Sequence, residues 1–176
     1  FIFVGSLHPR KNLEGLVSAY ERYRVSGGKN DLVIVGASMW KESSGMSISL
    51  TDEVLSSIHQ VGRLESEALN QALASAEALI FIPLFEGFGI PIIEAFKCET
   101  PVICSDVTSL PEVAGNAALL VNPRDHQAVA DKMLELEQNE ALKKALIAKA
   151  KERANEFTWE RSAALMWESI KRTGIC

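Results

Sequence analysis

Pro83-Leu84-Phe85-Glu86-Gly87-Phe88-Gly89-Ile90-Pro91-Ile92-Ile93-Glu94 is the stretch on which the reading of this chain turns. The apolar run just before it, Ala78-Leu79-Ile80-Phe81-Ile82, reads as a fully buried strand. Pro83, Gly87 and Gly89 then exclude regular structure, and Pro91 predicts a helix from that residue to about Cys98. Proline suits a first helical position because its missing N–H would be unpaired there and its φ is already helical. A strand, a glycine loop and a helix N-terminus in succession aim free backbone N–H groups and the positive end of a dipole at one point. That is an anion site.

Glu86 and Glu94 are eight residues apart, and the glycines and Pro91 between them rule out one continuous helix. Glu86 is therefore expected at the loop's entry and Glu94 in the helix's first turn, both at the rim of one crevice. Carboxylates accept hydrogen bonds from vicinal hydroxyls, so a phosphate nest flanked by two of them suits a phosphorylated sugar. Glu94 has an equally open alternative as a first-turn acid favouring the dipole by roughly 0.3–1 kcal/mol.

Upstream, Phe1–Val4 reads as a strand ending at Gly5, where a side chain would obstruct a ligand. Ser6 to Lys11 form a loop, and Asn12 is placed to cap a helix with Leu13, Leu16, Val17 and Tyr20 on one face. Arg10 and Lys11 stand before a helix start, where cations oppose the dipole. They answer an anion or are an exposed pair; one unit charge about 4 Å from another is worth ~4 kcal/mol at an effective dielectric of 20. Further strands are expected at 32–35, at 58–61 before Gly62, at 101–104 and at 118–121, with a loop over 37–50. Helices are expected over 52–57, 65–74, 110–114, 126–138 (capped by Asp125), 140–156 and 159–172. This alternation predicts an α/β, Rossmann-like doubly wound parallel sheet of about six strands with extra C-terminal helices. Its ligand belongs at the carboxyl ends of the strands.

A length of 176 residues suits one domain burying roughly 70% of its unfolded surface. The formal charge of −5 argues against a nucleic-acid partner. No apolar run reaches the ~18–20 residues of a membrane span. No signal peptide is visible and the chain starts with Phe1 inside a strand pattern, so a piece of a longer protein is expected. Cys98, Cys104 and Cys176 lack metal-site spacing and point to a reducing, cytosolic compartment. His8, His59 and His126 are scattered without ligand spacing, and only His8 falls in the phosphate loop.

Glu86-Gly87-Phe88-Gly89-Ile90-Pro91-Ile92-Ile93-Glu94, followed by Ala95 to Ser105, resembles the E-x7-E signature of retaining glycosyltransferases of family 4, which have GT-B architecture. The resemblance extends to Phe3-Val4-Gly5 with Arg10-Lys11-Asn12, to Ser109-Leu110-Pro111-Glu112-Val113, and to Phe157-Thr158-Trp159-Glu160-Arg161. It implies the C-terminal, donor-binding half of a two-domain enzyme that moves a hexose from a nucleotide diphosphate sugar to an acceptor hydroxyl. It assigns Lys11 to the diphosphate, Glu94 to the ribose hydroxyls and Glu86 to the donor sugar. Phe88, Gly89 and Ile90, with Gly87, would contact sugar and phosphate through their amides. Gly62, Arg63 and Leu64 would sit by the nucleobase, with an ordinary strand-to-helix turn as the equal alternative for Arg63. Ser6 stands where many members carry arginine, and Arg10 is the expected substitute. Glu99 stands where glycine is usual, so it is strained if that turn needs a positive φ.

By the same resemblance no cofactor and no metal are required. The donor is expected to be GDP-mannose first and a UDP-sugar second. The acceptor would be a glycan or lipid-linked hydroxyl presented by an N-terminal domain, in the cytoplasm or at the inner face of the membrane, with peripheral membrane contact open to the full-length protein. Trp159 and Trp167 either cover an interdomain seam or pack in the core. A non-catalytic nucleotide-sugar-binding module is the rival reading, and Glu86 speaks against it because ribose binding alone needs only Glu94. A nicotinamide-dependent dehydrogenase is disfavoured, since no G-x-G-x-x-G follows the first strand.

Overall fold

The structure, a computed structural model, describes residues 1–36 and 50–174. The predicted loop over 37–50, Leu50 apart, and Cys176 lie outside the described residues. Six strands form one sheet: β1 (Ile2–Val4), β2 (Leu32–Val35), β3 (Ile58–Gly62), β4 (Leu79–Phe81), β5 (Val102–Ser105) and β6 (Leu119–Val121). Their order is β3-β2-β1-β4-β5-β6, with every pair parallel. The order reverses between β1 and β4, which makes the crevice at their carboxyl ends the topological switch point.

Strand periodicity divides the core in two. Phe1, Phe3, Leu32, Ile34, Ile80, Ile82 and Ile103 face one way, against α1 (Leu13–Val25) and α6 (His126–Gln138). Ile2, Val4, Leu79, Phe81, Val102 and Cys104 face the other, where α3 (Ser66–Ala74), α4 (Ile90–Lys97) and α5 (Leu110–Ala114) cover them. Each fully buried side chain of this size contributes about 1.5–3 kcal/mol. Both faces are therefore apolar, as a parallel sheet requires. Two further helices complete this part, α2 (Asp52–Ser56) and α7 (Glu140–Ala154).

Most expected elements are present, with shifted ends. β3 is an edge strand whose central residues His59, Gln60 and Val61 are exposed. α4 begins at Ile90, so Pro91 is its second residue and Glu94 lies beyond the first turn, which contains no acid. That removes the dipole alternative for Glu94. Asn12 occupies the cap position of α1 but is left-handed, at φ 58°, and its side chain makes no capping bond. Asp125 does cap α6, accepting from the Ala128 N–H at 2.9 Å.

The last helix, α8 (Trp159–Arg172), has no buried residue. Trp159 is 88% exposed and Trp167 51%, so neither packs in this domain's core. Leu165 and Met166 are also exposed. No described helix is long and apolar enough to cross a membrane.

Glu99 has φ 59°, the left-handed conformation its turn demands. Such a conformation costs a non-glycine residue roughly 1–2 kcal/mol, while glycine gives back part of that through its freer unfolded chain. Glu99 also pairs with Lys151 at 2.9 Å, but both side chains are half exposed and the pair contributes little. Glu99→Gly is therefore expected to stabilise the fold by up to about 1 kcal/mol in urea denaturation. A loss of stability would show that the Lys151 pair outweighs the strain.

Candidate functional site

Two loops meet at the switch point. The first follows β1 and tightens into a 3-10 turn, Pro9–Lys11, capped by the His8 side chain, whose Nδ1 accepts from the Arg10 N–H at 3.2 Å. The second runs from β4 to α4. Their backbones are joined directly, since the Leu84 N–H donates to the Arg10 carbonyl at 2.8 Å. Asn12, expected to cap, spans the strand ends instead: its Nδ2 donates to the Ile82 carbonyl at 3.0 Å and the Pro123 carbonyl at 2.9 Å. The carboxyl ends of β4 and β6 are thus tied to the start of α1.

Arg10 and Lys11 converge on Glu86. Arg10 Nη1 donates to Glu86 Oε2 at 3.0 Å, and Lys11 Nζ donates to the same oxygen. Lys11 is buried, its ammonium 4.8 Å from the centre of the Phe81 ring. Burial works to raise the Glu86 carboxyl, but Lys11 and then Arg10 outweigh it and hold the group below the usual carboxylate range. The sequence reading placed the two cations and Glu86 in one crevice without anticipating that they pair.

The second loop is shaped by its supports. Ser109 Oγ donates to the carbonyls of Glu86 at 3.0 Å and Phe88 at 3.1 Å, and Ser105 Oγ donates to that of Pro83 at 2.8 Å. Phe88 stacks edge-on against Phe157, and Phe157 in turn lies under the Arg153 guanidinium. Gly89 precedes α4 at φ 107°, and a Cβ there would come within 2.6 Å of Leu110 Cδ2. Among the described residues no protein acceptor meets the N–H of Gly87, Phe88, Gly89 or Ile90. Free amides gathered ahead of a helix N-terminus are suited to an anion.

Glu94 is half-buried on α4, and no side chain among the described residues bonds to it. Burial raises its carboxyl, with Lys97 only partly opposing. A desolvated carboxylate without a protein partner is suited to receive hydroxyl donors.

The remaining candidates are less engaged. Ser6 is exposed. Beside Gly5, the tight approach falls on its neighbour Gly36, whose added Cβ would lie 1.9 Å from the Gly5 carbonyl oxygen. Gly62 ends β3, two strands away from β1, Arg63 and Leu64 follow it, and Arg63 is exposed. The Gly62 carbonyl accepts from the Gly36 N–H at 2.8 Å, closing that side of the crevice. A separate recess of about 360 Å³, lined by Arg22, Asn122, Arg124, Asp125, His126 and Gln127, takes in none of the candidates. Asn12, Ser105, Ser109 and Phe157 are the supports that sequence reasoning missed. The S-L-P-E-V and F-T-W-E-R matches held two of them, as motifs without an assigned task.

The sequence matches the family model described as "Glycosyl transferases group 1" over residues 1–153. It is 32% identical over 160 residues to "O-antigen chain mannosyltransferase B" of Escherichia coli, covering 90% of this chain and 42% of that protein. It is 33% identical over 141 residues to "O-antigen chain mannosyltransferase RfbU" of Salmonella typhimurium, covering 78% of this chain and 38% of that one. The chain thus spans less than half the length of these relatives. Among solved structures, sucrose-phosphate synthase from Thermosynechococcus elongatus superimposes with a TM-score of 0.80 at 26% identity, covering 99% of this chain and 45% of that one.

Proposed function

The chain belongs to the glycosyl transferases group 1 family, and from that premise we propose that it is the donor-binding domain of a retaining glycosyltransferase of the family 4, GT-B type. The observation that carries this reading is the convergence of Lys11 and Arg10 on Glu86, directly before the amides of 87–90, which have no protein acceptor among the described residues, at the sheet's switch point. A pyrophosphate lies between these donors. The cations stabilise it as the sugar departs, and one well-placed donor of this kind is worth roughly 3–4 kcal/mol. Glu94 takes the ribose hydroxyls and Glu86 faces the sugar. Gly62, Arg63 and Leu64 line the base.

Mannose from GDP-mannose is the favoured donor, supported by the names of the two mannosyltransferase relatives; a UDP-sugar is second. The acceptor, a glycan or lipid-linked hydroxyl, is held by an N-terminal domain at the cytoplasmic side of the membrane. The bare apolar face of α8, with Trp159 and Trp167, is the surface offered to that domain. No metal or cofactor enters the reaction.

A thermal-shift screen of nucleoside diphosphate sugars tests the reading. At a hundred times its Kd the true donor raises the melting temperature by about 5–10 °C. GDP-mannose is expected to give the largest rise. A larger rise with a UDP-sugar reassigns the donor, and no rise with any of them overturns the donor site.

A further inference from the structure

Lys11 and Arg10 share a single carboxylate oxygen, Glu86 Oε2, and Lys11 has no other hydrogen-bond acceptor among the described residues. A buried ammonium needs an anion, because an uncompensated charge inside a protein is costly. Glu86 is that anion here. Yet the two cations are also the groups a diphosphate requires, and it brings several oxygens and more negative charge than one carboxylate. The two anions cannot hold the same cations without repelling each other.

Resting on the donor-site reading above, we infer that Glu86 is the resident counter-ion of the diphosphate seat. It occupies the cations when the crevice is empty, releases them when a nucleoside diphosphate enters, and retakes them as that product leaves. The exchange is a side-chain movement. The backbone around Glu86 is held by Ser109 Oγ on the carbonyls of Glu86 and Phe88, at 3.0 and 3.1 Å, and by Arg10 Nη1 on that of Phe85, at 3.4 Å. An intact donor offers the displaced carboxylate the hydroxyls of its sugar. The product has lost that sugar, so the carboxylate's return competes with the spent nucleotide and speeds its departure.

The test is calorimetric titration of GDP, UDP, inorganic pyrophosphate and the nucleosides guanosine and uridine into the chain and its Glu86→Gln variant. Glu86→Gln is expected to bind pyrophosphate and the favoured nucleoside diphosphate about tenfold more tightly (about 1.4 kcal/mol) and to leave nucleoside binding unchanged. Binding by the unaltered chain that Glu86→Gln leaves equal or weaker overturns the inference and spares the donor site. Binding of neither nucleotide nor pyrophosphate by either protein overturns both. Should Glu86→Gln fail to fold, carboxyl-carbon NMR of the unaltered protein decides: the Glu86 resonance moves at saturating pyrophosphate if the carboxylate is displaced, and a static resonance overturns the inference.

Discussion

Replacing Lys11 by alanine is expected to weaken nucleoside diphosphate binding at least about tenfold. The ammonium is buried beside the glycine loop, so solvent screens it poorly. A unit charge about 4 Å from a phosphate oxygen is worth ~4 kcal/mol at an effective dielectric of 20, of which half already exceeds a tenfold change. Arg10 does not make up the loss, because its guanidinium is more exposed and is also engaged with the Phe85 carbonyl. Calorimetric titration of GDP and UDP into Lys11→Ala checks this, with circular dichroism as the control on folding. Unchanged affinity would remove Lys11 from the phosphate site.

The second large effect is expected at Glu94, where affinity and stability should move in opposite directions. Hydrogen bonds to a charged acceptor contribute about 1.5–3 kcal/mol, so Glu94→Gln is expected to cost ten- to a hundredfold in nucleotide affinity. The same substitution should raise the melting temperature of the empty chain at pH 7. Burial lifts the Glu94 carboxyl above its ordinary value, so the folded chain keeps this proton to higher pH than the unfolded one. Its contribution to stability is therefore fullest below the unfolded value and is lost as pH rises through the folded value. The advantage of glutamine should accordingly shrink on acidification toward the ordinary carboxylate range. Thermal denaturation at pH 7 and near pH 4 measures it. A variant that loses no affinity would take the ribose away from Glu94.

Much of the fold was legible because its signals are local. Apolar runs such as Ala78–Ile82 and breaks such as Gly87-Phe88-Gly89 need no partner to be read. The first turn of α4 was misjudged by one residue, and that residue decided whether Glu94 served the dipole. Pairings across the sheet were not legible: Lys11 and Glu86 are 75 residues apart, and no periodicity links them. Asn12 looked like a cap because the residue type and position suited one, but two carbonyls at the strand ends compete for its amide. For α8 the sequence left open whether an interdomain seam or the core would cover Trp159 and Trp167. The core does not.

β1 and β4 share a single register pair, Ile2 with Leu79, whereas every other neighbouring pair of strands shares at least three. The sheet is thus most thinly laced along the very line where its two halves change direction. A molecule gripped from both sides of that line would act as a clasp, and its stabilising influence would reach the whole domain rather than the loops it touches.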